Sequence, residues 1–223
     1  MNVARPLMIS LALAMAMVVF AVVTAARLPA DAMLPTHWDA SGRPDAFSPA
    51  LTALLMPAGL AAAVSLLFAL IPKLEPLQDK LEGSAPLLRA GWIGVILLLV
   101  VTQATIGLPA YGIDMPVNAI LLGVGALFVM LGNALPKSRP GFFVGIRTPW
   151  AITDADNWIA THRLGGKLML LAGLAIILAG ITPLNEEMTA VVILSAVAVT
   201  AVVPFAYSWW LWQRDKGIAE GEG

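Results

Sequence analysis

The sequence predicts an all-α, polytopic membrane protein with six transmembrane helices, and its composition is the first reason. Hydrophobic residues make up 59% of the 223 residues and charged residues only 12%, and the mean hydropathy is +0.85. A soluble domain has roughly 45–50% apolar and about 25% charged residues. The charges also lie between long apolar runs, as a bilayer requires, because a spanning segment satisfies its own backbone hydrogen bonds and carries few charges.

Six apolar segments each approach the length of about 20 residues that crosses the hydrocarbon core. They are Leu7–Ala26, Ala50–Ile71, Ala90–Leu108, Val117–Leu135, Leu164–Ile181 and Met188–Trp212. The first segment has small residues near its end, at Thr24-Ala25-Ala26, as a cleaved signal peptide would. Its apolar run of about twenty residues exceeds the about 7–15 of a signal-peptide core, which favours a retained helix.

The basic residues predict that both termini face the cytoplasm. Of the 13 Lys and Arg residues, only Arg27 and Arg43 fall outside when the N-terminus is inside, which leaves eleven on the inner side. Short cytoplasmic loops carry an excess of Lys and Arg. We divide the chain into a helix pair, residues 1–86 with an outer loop at 27–49, and a four-helix region, residues 87–223 with an inner loop at 136–163.

The spans carry little chemistry of their own. Gln103 is the sole strongly polar side chain near mid-membrane, and an interhelical hydrogen bond is its expected role. The absence of a carboxylate within a span disfavours an ion-coupled transporter. The chain has no Cys, which removes disulfides, thiol chemistry and Cys-type metal sites. The basic residues follow the membrane rule rather than one face, so we predict no direct nucleic-acid binding, and we predict no cofactor.

Small and aromatic residues predict how the helices pack. Gly166, Gly173 and Gly180 recur every seven residues on one face of the fifth span, where they allow a neighbouring backbone to approach closely. Pro204 is a candidate kink in the sixth span, because proline removes a helix hydrogen bond. The Trp residues at 209, 210 and 212 are expected at the inner membrane interface.

The inner loop predicts a helix start followed by a polar and aromatic face. Thr153 is the expected N-cap, with Asp154 and Asp156 in the first turn and Pro149 blocking helix upstream. A helix from there would place Asp154, Trp158, Thr161, His162 and Gly165 along one face. Trp158 and His162 would then meet as i, i+4 neighbours. For His162 we expect a hydrogen bond that caps the helix or tethers the loop.

The segment before this helix, Gly141–Trp150, is expected to lie against the inner leaflet. Its Phe and Trp side chains can anchor at the headgroups, and Arg147 can bind phosphate or carboxylate in fork geometry. Inner loops of membrane proteins commonly contain basic and aromatic residues, so this pattern alone leaves an unspecialised loop open.

The same region resembles the signature of SdpI-family membrane proteins over about 35 residues. The matching residues are Gly132-Asn133-Ala134-Leu135-Pro136-Lys137, Gly145-Ile146-Arg147-Thr148-Pro149-Trp150, Trp158, Thr161-His162-Arg163 and Gly165-Gly166-Lys167. The chain departs from the pattern at Ala134, where an aromatic is common, and at Gly141 and Ala151, where polar residues are common. The resemblance implies ligand or partner binding by Asn133, Pro136, Lys137, Gly145, Arg147, Thr148, Pro149, Trp150, Trp158, Thr161, His162 and Arg163.

A second resemblance covers the outer loop. Residues Leu34–Asp45 are similar to a short module of unknown function that often precedes the SdpI signature. We predict outward recognition by Pro35, His37, Asp39, Gly42 and Asp45. Turn chemistry explains the same residues, with an Asx-turn at Asp39 and a pairing of Arg43 with Asp39 or Asp45. A metal held by His37, Asp39 and Asp45 is a further alternative that the sequence leaves open.

The resemblance to the SdpI family implies an immunity protein of the bacterial inner membrane. Such a protein would meet a secreted peptide toxin outside, hold a transcriptional repressor inside, and contact membrane lipids. Two other interpretations stay open. A transporter or flippase would use Arg147, Arg163 and Lys167 to hold an anionic head group. A membrane enzyme would use His162 with Asp154 or Asp156 as acid and base on a lipid.

Overall fold

A computed structural model of the protein describes residues 3–39, 42–76 and 78–221, which fold mainly as helices. The elements are α1 Ala4–Ala25, β1 Met33–Trp38, β2 Pro44–Pro49, α2 Ala50–Leu74, α3 Gln78–Gly107, α4 Asn118–Ala134, α5 Pro149–Thr153, α6 Ala155–Ile181 and α7 Glu186–Gly221, with 3-10 turns at Leu108–Tyr111 and Leu135–Lys137. In this part of the chain, six helices are long and apolar enough to cross a membrane, and α5 is not among them. The predicted all-α membrane class with six spans is confirmed, whereas the orientation and the division after residue 86 stay predictions.

The loop between α1 and α2 contains a β-hairpin that the sequence analysis did not predict. Strands β1 and β2 pair antiparallel, with irregular register between Pro35 and Trp38. At the turn, the Asp39 carboxylate accepts the backbone N–H of Arg43 at 3.0 Å, and Gly42 has a φ of +77°. The predicted turn at Asp39 and Gly42 is confirmed, while its other residues, Ala40 and Ser41, lie outside the described residues. The strands were missed because prolines interrupt the alternating pattern that signals a strand.

Helices α1, α2 and α3 pack around an apolar core, to which Ala14, Met17, Ala58, Ala61 and Ile96 contribute. The predicted interhelical bond of Gln103 is confirmed and is in fact double. Its side-chain amide donates to the carbonyls of Met17 at 2.9 Å and Leu54 at 2.8 Å, so one residue of α3 bonds to both α1 and α2. Carbonyls that already accept a helical hydrogen bond have a second lone pair available for such a donor.

Helices α4 and α6 approach backbone to backbone at glycines. A Cβ added to Gly125 would lie 2.7 Å from the carbonyl oxygen of Gly173, and one added to Gly132 would lie 2.7 Å from that of Gly166. Both distances are too short for any side chain. The predicted close-packing role of the α6 glycines is therefore confirmed: Gly166 and Gly173 face glycines of α4, and Gly180 faces Leu121 and Leu122 of the same helix. Beside this pair, α7 continues helically through the buried Pro204.

The loops lie at two opposite ends of the helices. We call the end with residues 3, 75–76 and 135–154 the terminal end, and the end with residues 26–49, 108–117 and 182–186 the hairpin end. Helix α2 connects the two: its first residue, Ala50, donates a backbone hydrogen bond to Ala32 of the hairpin end, and Glu75, which follows its last residue, bonds to the loop at Phe142. Twenty-five helical residues separate the ends by about 37 Å.

Candidate functional site

The site predicted from the inner loop is built around a segment, residues 138–148, that folds back onto the terminal end of the helices. We call this segment the tethered loop. Its first attachment is Glu75, whose side chain is buried. The Glu75 carboxylate accepts the backbone N–H groups of Phe142 at 3.0 and 3.1 Å and of Phe143 at 3.1 Å. Successive backbone N–H groups of this kind form a concave anion site, here filled by the protein's own carboxylate.

The second attachment is His162, one helical turn after Trp158 on α6. Its Nε2 accepts the backbone N–H of Ile146 at 2.9 Å, and its Nδ1 lies 2.8 Å from the carbonyl oxygen of Trp158. A backbone N–H can only donate and a carbonyl can only accept, so the ring carries its hydrogen on Nδ1. The predicted loop-tethering hydrogen bond of His162 is confirmed.

Trp158 completes this attachment. Its indole stacks on the His162 ring, with centroids 4.0 Å apart and an angle of 17° between the planes, and its Nε1–H donates to the carbonyl of Ser138 at 3.3 Å. The predicted i, i+4 contact of the two rings is therefore confirmed. Together the two side chains bond to the loop near both of its ends, at Ser138 and Ile146.

Gly145 lets the loop cross this ring pair. Its φ is +118°, and a Cβ added there would lie 2.5 Å from Nε2 of His162 and 2.8 Å from the Trp158 ring. A φ of +118° is strained for any residue with an L side chain, and the distances to the two rings leave no room for a Cβ. Only glycine fits this position without moving the rings or the loop.

A second buried network joins the end of the tethered loop to α6 and α7. Asn157 donates from Nδ2 to the carbonyl of Ser208 at 2.9 Å and accepts the Ser208 hydroxyl at 2.7 Å. The Thr161 hydroxyl also donates to Asn157, at 3.1 Å. The Ser208 hydroxyl oxygen lies 2.6 Å from that of Thr148. Because the Ser208 hydrogen is used on Asn157, Thr148 is the donor of that bond.

Thr148 also begins a short helix, which corrects the predicted helix start. Its hydroxyl accepts the N–H of Ala151 at 3.0 Å as the N-cap of α5, and Pro149 occupies the first turn of that helix instead of blocking it. Thr153 ends α5, and Asp154 is the N-cap of α6, accepting the N–H groups of Asp156 and Asn157. The prediction of Thr153 as N-cap was wrong because proline is favoured at a first helical position, so the chain forms two helices where one was expected.

The twelve residues implied by the family signature divide between the interior and the surface. Thr148, Trp158, Thr161 and His162 are buried, and Gly145 and Trp150 are half-buried. The exposed residues are Asn133, Pro136, Lys137, Arg147, Pro149 and Arg163. The Arg147 guanidinium donates to the carbonyl of Phe142 at 2.9 Å, which holds that cation over the loop. The buried members thus form a scaffold, and the exposed members include three basic residues, Lys137, Arg147 and Arg163.

Both ring nitrogens of His162 are engaged by backbone groups. Neither bond involves Asp154 or Asp156. Asp154 is the N-cap of α6, and Asp156 lies in the first turn of that helix. An acid–base pair needs a hydrogen bond from the ring to its partner and a free nitrogen toward substrate. The geometry assigns His162 to the attachment of the loop.

The hairpin end holds the residues predicted for outward recognition and a cavity beside them. His37 Nδ1 lies 2.6 Å from an Asp45 carboxylate oxygen, and Arg43 pairs with Asp39 at 3.3 Å and with Glu186 of α7 at 3.6 Å. Of the three candidate metal ligands, His37 and Asp45 therefore bond to each other, whereas Asp39 bonds to Arg43. Pro35 is half-buried in β1, and Gly42 approaches Val117, whose methyl group would lie 2.7 Å from an added Cβ.

The cavity has a volume of about 570 Å³. Its wall includes His37, Trp38, Asn118, Thr182, Glu186 and Ile193. It lies between the hairpin and the adjoining ends of α4, α6 and α7. The wall therefore combines polar and charged side chains with aliphatic ones.

Sequence reasoning missed the residues that complete the networks at the terminal end: Glu75, Ser138, Asn157 and Ser208. Asn157 could have been predicted, because it precedes Thr161 by four residues and so lies on the helix face that the sequence analysis identified. Ser208 carried a weaker signal, because it is one of several hydroxyl residues in an apolar helix. Glu75 carried none, since its partners lie 67 and 68 residues along the chain.

Comparison with known proteins gives one family match that contains the tethered loop and the network of Thr148, Asn157, Thr161 and Ser208. Residues 137–208 match the model of the SdpI/YfhL protein family, and residues 12–61 match a domain of unknown function (DUF1648). The curated Immunity protein SdpI of Bacillus subtilis (strain 168) is 25% identical over 144 residues, covering 64% of this chain and 67% of that protein. No solved structure gives a significant match. Both resemblances drawn from the sequence are confirmed.

Proposed function

We propose, from the match of residues 137–208 to the model of the SdpI/YfhL protein family, that this chain is an immunity protein of the bacterial cytoplasmic membrane. It protects its own cell from a secreted peptide toxin. The relative that supports this proposal is named an immunity protein. The observation that carries it is the family match itself, which begins at Lys137 and ends at Ser208 and so includes the tethered loop, α6 and the part of α7 that bonds to the loop.

The proposed toxin site is the cavity at the hairpin end. The distribution of Lys and Arg supports an orientation with this end outside the cell. A cavity of about 570 Å³ whose wall has both aliphatic and polar side chains suits one or two apolar side chains of a peptide and the backbone groups beside them. Asp39 and Glu186 in its wall would attract a cationic peptide.

The proposed signal runs along α7. This helix begins at Glu186, which lies at the cavity and pairs with Arg43, and it carries Ser208, which bonds to the loop at Thr148. Twenty-two residues separate the two positions in one continuous helix, or about 33 Å. A peptide bound at the cavity that favours one position of α7 would bias the tethered loop, provided that its affinity differs between the two positions.

The proposed partner surface is the exposed basic side of the tethered loop. Lys137, Arg147 and Arg163 are exposed there, with the half-buried Trp150 nearby. Basic and aromatic side chains on a rigid scaffold are suited to an acidic protein surface. We propose that a transcriptional repressor docks here and is held at the membrane when the toxin is present.

The test is protection in the strain of origin. A strain lacking this gene is exposed to sterile culture supernatant of the parent strain, and its survival is compared with that of the deletion strain carrying the wild-type gene. We expect the deletion to sensitise the cells and the wild-type gene to restore survival. Equal survival of parent and deletion strains would rule out the immunity function.

The residue-level test uses Arg147→Ala, Trp158→Ala and His162→Ala in the same assay, with membrane insertion measured for each. We expect all three to insert and to protect less than wild type. Lys73→Gln, an exposed change at the same end but outside the loop, is the matched control and should protect fully. Full protection by all three loop variants would contradict the assignment of the site.

A further inference from the structure

A second cavity lies between α1 and α3 near the terminal end and has no part in the proposed immunity function. Its volume is about 350 Å³. Its apolar wall includes Ile9, Leu13, Ile93, Ile96 and Leu97. Ile9 and Ile93 are 69% and 52% exposed, although both lie on helices apolar enough to span a membrane. The cavity is therefore a groove on the face of the protein that contacts lipid.

Two arginines lie at one end of this groove. Arg5 of α1 and Arg89 of α3 both line it, and both are exposed. Within residues 3–39, 42–76 and 78–221, neither guanidinium has an ion pair or hydrogen bond, and the groove wall contains no carboxylate. A guanidinium is matched in shape and charge to a phosphate group. Two guanidinium groups at one end of an apolar groove therefore favour the binding of an anion there.

The wall of the groove also contains a buried donor. Trp92 is 3% exposed, and among the described residues its Nε1 is the buried side-chain nitrogen or oxygen atom that has no hydrogen-bond partner. Buried indole N–H groups usually have an acceptor. Trp92 follows Arg89 by three residues, which places it about 4.5 Å further into the membrane along α3. The ester carbonyls of a phospholipid lie at a similar depth below its phosphate.

We propose that this groove is a binding site for one anionic phospholipid. The phosphate lies between Arg5 and Arg89, an acyl chain lies along Ile93 and Ile96, and an ester carbonyl enters the wall to accept the N–H of Trp92. A zwitterionic lipid carries an ammonium beside its phosphate, which the two guanidinium groups repel. The net charge of the headgroup therefore distinguishes anionic from zwitterionic lipids. The apolar groove favours an anion that carries an acyl chain over a free anion.

The test is native mass spectrometry of the purified protein in detergent with equal amounts of phosphatidylglycerol and phosphatidylcholine. We expect the wild-type protein to retain phosphatidylglycerol preferentially. Arg5→Gln with Arg89→Gln should lower that retention by about twenty-five-fold, since each basic residue near an anionic surface contributes a factor of about five. Ile93→Trp keeps both charges but fills the groove, and it should also lower retention.

The matched control is Lys73→Gln with Lys167→Gln, which removes two exposed charges at the same end but away from the groove. This variant should retain phosphatidylglycerol as the wild type does. The proposal is overturned if the arginine variant retains as much lipid as wild type, if the lysine control loses as much, or if Ile93→Trp has no effect.

Discussion

The Nε2 atom of His162 accepts the backbone N–H of Ile146 at 2.9 Å, and the two residues belong to different parts of the fold. Ile146 lies in the tethered loop, whereas His162 lies on α6 and stacks on Trp158. One imidazole thus joins a loop to a spanning helix, and both of its nitrogens are used in doing so.

The first prediction is that His162→Ala releases the tethered loop. The change removes the acceptor of Ile146 and the ring that stacks on Trp158, and an unsatisfied buried donor costs about 1–3 kcal/mol. Hydrogen exchange at the amide of Ile146 should become faster by at least about tenfold. His37→Ala, which removes an exposed imidazole, should leave that amide unchanged. Unaltered exchange at Ile146 in the His162 variant would contradict the attachment.

A second prediction concerns the hydrogen on the His162 ring. The bonds at Ile146 and Trp158 require that Nδ1 carry the hydrogen and that Nε2 be bare. Nitrogen NMR of protein labelled at histidine distinguishes the two tautomers by their ring shifts. A signal from a ring with its hydrogen on Nε2 would be incompatible with the bond to Ile146. The spectrum of His162→Gln identifies the signal of His37, the only other His in the sequence.

The third prediction is that Gly145→Ala destabilises the protein more than Gly112→Ala. Both glycines have positive φ, at +118° and +74°, so both substitutions incur backbone strain of about 1–3 kcal/mol. Only at Gly145 would the new methyl group overlap His162 and Trp158; at Gly112 no atom lies within 4 Å of it. Overpacking adds about 1–3 kcal/mol. Thermal unfolding in detergent measures the difference, and equal melting temperatures would disprove the close contact.

The fourth prediction is that Asn157 and Ser208 stabilise the protein as a pair. They exchange two hydrogen bonds, at 2.9 and 2.7 Å, across α6 and α7. A double-mutant cycle of Asn157→Ala and Ser208→Ala should give a coupling of about 0.5–3 kcal/mol. Thr200→Ala on α7 serves as the control, because its hydroxyl bonds within its own helix, and it should not couple to Asn157. Additive effects of the first pair would mean that the network is not cooperative.

The sequence predicted the features that depend on local spacing. Apolar length predicted the six spans, the seven-residue spacing of glycines predicted the close face of α6, and the four-residue spacing of Trp158 and His162 predicted their contact. The acceptor for Phe142 could not be predicted, because Glu75 is remote in sequence. The β-hairpin was hidden by its prolines, and the helix start was misplaced by one residue, from Thr153 to Asp154. Partners close in sequence could thus be identified by spacing. For Gln103 and His162 the kind of bond could be predicted, but the partner residues could not, because the fold brings them together.

The central claim is that the hairpin and the tethered loop face opposite sides of the membrane, with the hairpin outside. The chain contains no Cys, so single-cysteine labelling can be done without removing native thiols. Asp45→Cys on the hairpin and Lys137→Cys beside the loop are both exposed positions. With a membrane-impermeant maleimide on intact spheroplasts, Asp45→Cys should be labelled at once and Lys137→Cys only after the membrane is opened. Labelling of both positions in intact spheroplasts, or of Lys137→Cys alone, would contradict the account.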